Sequence, residues 1–155
     1  MGETSGRSVQ TQQGWAVRTQ EALAGEGYRR SAARRILLDL LADRNCCVTA
    51  PELHRAARAA GRPVGLASVY RVLDLLTEKG FVEKLDLGDD HAYYEKVDRD
   101  EHHHHHLVCS GCGRVEAFSD EGLEEALRQI ESQTGFEVER HEVLLRGACD
   151  DCRSA

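Results

Sequence analysis

The sequence predicts an α+β fold in two parts, and three observations carry that prediction. Apolar residues recur at helical spacing through residues 15–79. The period then switches to two on either side of Gly88-Asp89-Asp90. Two Cys-x-x-Cys pairs bracket a short mixed segment further along the chain. At 155 residues there is room for one ordinary domain or two very small ones, and 41% apolar residues with only two prolines suffice for packed cores.

The elements follow in order. Residues 1–14 are polar, lack the apolar run of a secretory signal and are expected to form a disordered tail. Residues 15–25 (WAVRTQEALAG) form a short helix with Trp15, Leu23 and alanines on its inner side, ended by Gly25 and Gly27. Ser31 caps a second helix, in which Ile36, Leu37, Leu40 and Leu41 repeat at helical spacing. Thr49-Ala50-Pro51-Glu52 has capping-box spacing, with proline in the first turn, where its missing N–H costs nothing. Gly65 precedes a fourth helix over 66–79, closed by Gly80. Val69, Val72, Leu73 and Leu76 make its apolar stripe, and Ser68, Tyr70 and Arg71 fall largely outside it.

Residues 81–85 and 91–95 then read as a hairpin. Helices followed by a hairpin describe a winged helix-turn-helix, here over 15–96. The charged stretch 97–102 is the expected linker. Residues 103–155 follow as a small α/β unit, with strands over 103–108, 114–118 and 136–146. A helix over 120–134 is capped by Ser119 and stopped by Gly135. So small a unit has an exposed sheet edge and little core, and needs a metal staple, a partner subunit or both.

Charge divides the chain at the same place. The net charge is −7, but residues 1–84 hold 13 Lys and Arg against 9 Asp and Glu, whereas residues 85–155 hold 7 against 18. A basic front part suits phosphates and an acidic, Cys/His-rich back part suits cations. No stretch approaches the roughly 20 apolar residues of a membrane-spanning helix. The expected setting is the cytoplasm, where cysteines stay reduced and favour metal over disulfides.

Cys109-x-x-Cys112 and Cys149-x-x-Cys152 are the strongest local signal. Two such pairs make a closed tetrahedral site of four thiolates, a structural zinc site without an open coordination position. Neither pair has the helix-start context of a redox motif. Residues 102–106 (HHHHH) are internal and run directly into Leu107-Val108-Cys109, which argues against a purification tag. On a strand, His103 and His105 share one face while His104 and His106 share the other, so one strand can feed two metal sites. No H-E-x-x-H or similar catalytic motif occurs, and an enzyme is not expected.

Three stretches together resemble the ferric-uptake-regulator (Fur) family: Val69-Tyr70-Arg71, the segment HHHHHLVCSGCGRVEAF, and the closing CDDC. The resemblance covers nearly all of residues 15–152. It implies a homodimeric repressor whose C-terminal part is a metal-binding dimerisation domain. The repressor would bind an A·T-rich inverted-repeat DNA operator when loaded with a divalent metal, and would control metal-uptake genes without a membrane or a small-molecule substrate.

The resemblance also implies residues. The regulatory metal would be held by Cys47, Glu95, His104 and His106, with Glu83 and Cys46 in reserve. Cys47 stands where many members have the second histidine of an H-H-x-S/T-A pattern, here Cys46-Cys47-Val48-Thr49-Ala50. An additional site would use His103, His105, Glu124 and His141. Ala117 replaces an expected acidic residue, which weakens a peroxide-sensing reading. The fourth helix would enter the major groove with Ser68 and Tyr70 near base edges and Arg71 on phosphate. Arg29 would reach toward the minor groove, and Arg34 would hold the DNA backbone. One soft thiolate with two imidazoles favours Zn2+ at the regulatory site, with Fe2+ close behind. The alternative function is a zinc-stapled protein–protein adaptor or a metal-storage protein without specific DNA binding.

Overall fold

The computed structural model describes residues 7–98 and 104–154, with side chains from Gly14 onward. The expected tail lies outside the described residues through residue 6, as do linker residues 99–102 and His103. The chain divides into two compact units, Met1–Asp100 and Glu101–Ala155.

The N-terminal unit runs α1 (Arg7–Gly25), α2 (Ala32–Ala42), β1 (Val48–Thr49), α3 (Ala50–Ala59), α4 (Leu66–Glu78), β2 (Val82–Asp86) and β3 (Ala92–Lys96). Helix α1 starts at Arg7, eight residues ahead of the expected start, so the tail reading of 7–14 is corrected. The stretch RSVQTQQ offers almost no apolar residue for a periodicity argument, yet nothing in it breaks a helix. The caps are those the sequence specified. Ser31 Oγ accepts from Arg34 N at 3.0 Å. Thr49 and Glu52 complete a reciprocal capping box, with Glu52 Oε2 accepting from Thr49 N at 2.7 Å.

One core unites these helices. Leu23, Leu37, Leu53, Val69, Leu73 and Leu76 are fully enclosed, and Trp15, Val82 and Tyr94 pack against the same cluster. The wing is a three-stranded sheet of order β1-β3-β2. Strand β1 was not expected, because two residues are too short to show a period of two. Its pairing of Val48 with Tyr94 and Thr49 with Tyr93 fastens the start of α3 to β3. The segment after β3 is held to α1 as well: Trp15 Nε1 donates to the Val97 carbonyl at 2.9 Å, and Arg18 pairs with Asp98 at 3.0 Å.

The C-terminal unit runs β4 (His105–Cys109), β5 (Val115–Phe118), α5 (Glu121–Thr134), β6 (Leu144–Gly147) and α6 (Asp150–Arg153). Its sheet has the order β5-β4-β6, with β4 antiparallel to β5 and parallel to β6. The strand expected over 136–146 shrinks to Leu144–Gly147. Leu144 lies opposite His106, next to the start of β4 at His105, and the His106 amide donates to the Val143 carbonyl at 3.1 Å. The cap of α5 is Asp120 in place of Ser119, its Oδ1 accepting from Leu123 N at 2.8 Å. Gly135, at φ 72°, takes the left-handed position that ends the helix.

This unit buries little. Among its described residues only His105, Val108 and Cys109 are buried, while Leu107, Ile130, Phe136, Val138, Leu144 and Leu145 are exposed. Among the described residues no helix is long and apolar enough to cross a membrane.

Leu73→Ala should cost about 3 kcal/mol of stability, since a fully enclosed leucine leaves both lost burial and a cavity. Thr49→Ala should cost about 1 kcal/mol through the lost cap. Urea unfolding followed by circular dichroism checks both.

Candidate metal centres and nucleic-acid face

In the C-terminal unit, Cys109 ends β4 and Cys112 lies in the turn that follows. Cys149 is the N-cap of the four-residue helix α6 and Cys152 sits within it, so the second pair does open a short helix, contrary to the sequence reading. The parallel pairing of Cys109 with Gly147, and the Ser110 N to Gly147 O bond of 2.8 Å, return the chain end to this turn. The four Sγ atoms lie within 4.8 Å of one another, with Cys112 and Cys149 at 3.8 Å. A tetrahedron with metal–sulfur bonds of about 2.3 Å has edges of about 3.8 Å. A disulfide needs about 2.05 Å, and all of these cysteines are free thiols.

The surroundings fit an ion as well. A Cβ at Gly111 would stand 2.9 Å from Cys152 Sγ, so only glycine lets the turn close over the sulfurs. The Cys149 amide donates to Cys109 Sγ at 3.3 Å, and the Cys112 and Gly111 amides add to it. Together they hold the Cys109 thiol down at about 6. Cys152 is pushed up to about 12 by the hydrogen bonds it shares with Cys149, Cys109 and Cys112. Thiols gathered around one point release their protons when a cation binds them. Among the described residues the cluster consists of these four sulfurs, which makes it a staple.

A second donor set is built around His105, at the start of β4. His105 is fully buried, its Nε2 is 2.8 Å from Glu124 Oε1, and His141 Nε2 is 3.3 Å from Glu124 Oε2. The two rings are 5.4 Å apart, and one ligand atom from each of these three residues falls within 4.8 Å of the others. The hydrogen bond from His105, followed by that from His141, holds the Glu124 carboxyl below the ordinary carboxylate range. Of the expected set, His105, Glu124 and His141 come together, and His103 lies outside the described residues. His104 and His106 are half-buried, with rings 5.3 Å apart in an edge-on arrangement.

The N-terminal unit carries the remaining donors. Cys46 and Cys47 occupy the bend before β1, both half-buried, with Sγ atoms 3.8 Å apart. The hydrogen bond with Cys46, burial and the nearby Glu95 carboxylate push the Cys47 thiol well up. Glu95 lies on β3, directly across the hairpin from Glu83 on β2.

The prospective DNA face is helix α4. Val69, Val72, Leu73 and Leu76 are buried, and Tyr70 and Arg71 are exposed on the opposite side. Arg71 Nη2 donates to Ser68 Oγ at 3.0 Å, which fixes the guanidinium along the helix. Arg29 is exposed in the loop before α2. Arg34, expected to hold the DNA backbone, is largely enclosed. It is 8% exposed, donates to the Arg29 carbonyl at 3.1 Å and lies over the Tyr28 ring, so it braces the loop that presents Arg29. The signal was present in the sequence: position 34 shares the i, i+3, i+4, i+7 stripe of Leu37, Leu38 and Leu41.

The sequence pattern of the ferric uptake regulator family matches residues 25–146, most of the chain. This chain belongs to that family. The ferric uptake regulation protein of Bacillus subtilis is 34% identical over 125 residues, covering 80% of this chain and 82% of its own length. The ferric uptake regulator of Vibrio cholerae superposes with a TM-score of 0.72 at 31% identity, covering 84% of this chain and 99% of that one. A zinc uptake regulator solved with zinc and DNA superposes with a TM-score of 0.54 at 25% identity, covering 93% of this chain and 96% of that one.

Gly111→Ala should weaken metal retention at the four-cysteine site, read as faster zinc loss to a chromogenic chelator. Because thiol protons leave as the ion enters, retention should also fall as pH falls through the thiol range. Retention that does not change with pH would contradict thiolate ligation.

Proposed function

We propose that this protein is a metal-responsive transcriptional repressor that acts in the cytoplasm as a homodimer on an A·T-rich inverted repeat. The observation that carries the reading is that one chain holds both necessary parts. Helix α4 turns Tyr70 and Arg71 outward beside Ser68, and the chain also holds clustered soft and imidazole donors far in excess of structural need.

The dimer follows from the C-terminal unit's surface. Leu107, Leu144, Leu145 and Ile130 leave apolar area in water that a second copy can cover, and β6 lies at an edge of its sheet. Two copies present two α4 helices related by a two-fold axis, which an inverted repeat matches. Zinc fits the four-cysteine site by its donors and by the S–S edge length.

For the regulatory ion we propose Cys47 and Glu95 from the N-terminal unit with His104 and His106 from the C-terminal unit. Two arguments support the set. Strand alternation puts His104 and His106 on the face opposite His105, which Glu124 and His141 already engage. The β1–β3 pairing ties the strand after Cys47 to the strand that carries Glu95. Donors drawn from two units bind an ion well only in the pose where all of them reach it. Binding therefore shifts the population toward that pose, and the spacing of the two α4 helices with it. His105, Glu124 and His141 are proposed as the additional site.

His104→Ala should leave the dimer intact and remove the metal dependence of DNA affinity in a gel shift on an A·T-rich palindrome; affinity that still responds to zinc or iron would overturn the assignment. Arg71→Ala should weaken binding by a similar factor on every sequence, and lower the slope of log affinity against log salt by about 1 per protomer.

A further inference from the structure

One feature of the N-terminal unit is not absorbed by a regulatory site with a single thiolate: there are two thiols at the same point. Cys46 and Cys47 are sequence neighbours, and neighbours on an extended strand point to opposite sides. Here the bend at Asn45 and Cys46 turns both sulfurs to one side, 3.8 Å apart. We infer that Cys46 and Cys47 act together as a chelating dithiol for a soft, thiophilic cation of the zinc class. The inference deepens the regulatory-site reading above and rests on it for the remaining donors.

Three arguments favour chelation over the other uses of such a pair. The spacing equals that of Cys112 and Cys149 in the four-cysteine site, and both match the edge of a tetrahedron of thiolates around zinc. The pair is not a disulfide, because its sulfurs stand 3.8 Å apart against the roughly 2.05 Å of an S–S bond, and adjacent Cα atoms about 3.8 Å apart fall short of the usual span of about 4.4–6.8 Å. A packing role is also wrong, because small core cysteines are enclosed, whereas both of these are half-buried.

The position is rigid on its C-terminal side. Val48 and Thr49 are held in β1, and Thr49 is locked into the capping box of α3, so the pair does not rely on a loose loop for its geometry. Two thiolates side by side favour a soft, low-coordination ion and disfavour manganese or iron(II), which seek more oxygen and nitrogen donors. The pair is thus a specificity determinant for the sensed metal.

The test uses the full-length reduced protein with its four-cysteine site filled by one equivalent of zinc. One equivalent of cobalt(II) is then added without oxygen, and the thiolate-to-cobalt charge-transfer absorbance is read. Cys46→Ser and Cys47→Ser should each reduce it to about half, and the double variant should abolish it. Each single variant should weaken zinc by more than the roughly tenfold that loss of an outer-shell partner costs. Cys46→Ser with wild-type absorbance would overturn the dithiol.

The wild-type protein gives a check that needs no variant. With the second ion bound, Cys46 and Cys47 should both resist alkylation when peptides are weighed, and a labelled Cys46 would overturn the proposal. His104→Ala and His106→Ala separate the two readings. If they leave the cobalt absorbance and affinity unchanged while the cysteine variants remove them, the dithiol stands and the two-unit site fails. If Cys46→Ser is silent while Cys47→Ser and His104→Ala both lose the ion, the reverse holds.

Discussion

The convergence of four thiolates is the constraint on which the C-terminal unit depends. Its described residues enclose only His105, Val108 and Cys109, far too little apolar surface to offset the entropy of ordering a sheet and a helix. The cysteines compensate by tying α6 to the end of β4, and Gly111 is small because any side chain there would strike Cys152. Once that knot is closed, β6 is fixed in parallel register beside β4, and the histidine strand becomes the centre of its sheet with a partner on each side.

That centre is what makes the histidines useful. A strand paired on both sides cannot rotate, so alternate imidazoles are committed to opposite faces. His105 faces inward to Glu124 and His141, and His104 and His106 face the other way. Two donor sets on one strand are separated by a single peptide unit, yet they are chemically distinct: one contains a carboxylate already engaged by two imidazoles, the other offers two half-buried rings.

The N-terminal unit solves a different problem by the same means. Helix α4 needs a rigid seat if Tyr70 is to reach base edges and Arg71 a phosphate in one register. The enclosed leucines of α2, α3 and α4 supply that seat, and the capping box defines where α3 begins. The two-residue strand β1 then links this start to the wing, so the thiols just before it and the glutamate on β3 belong to one framework. Arg34 lies inside that framework, while Arg29 and Arg30 face outward from the loop before it.

Much of this was legible from residue order because it depends on local rules. Helical stripes, the Thr49–Glu52 box, the hairpin around Gly88 and the Cys-x-x-Cys pairs all act over a few residues, where spacing determines geometry. The family pattern added the order in which those pieces occur. What spacing could not give was anything set by a partner distant in sequence. Strand β1 exists only because Tyr93 and Tyr94 pair with it, and the strand expected over 136–146 is confined to Leu144–Gly147, where β4 receives it. The alignment of the Cys46 and Cys47 sulfurs came from a bend that no periodicity encodes. Sequence by itself determined the elements and the kinds of donor atoms. Tertiary structure decided which donors meet, because a ligand site is a property of distances, and distances between remote residues are fixed only when the sheets have paired and the cores have closed.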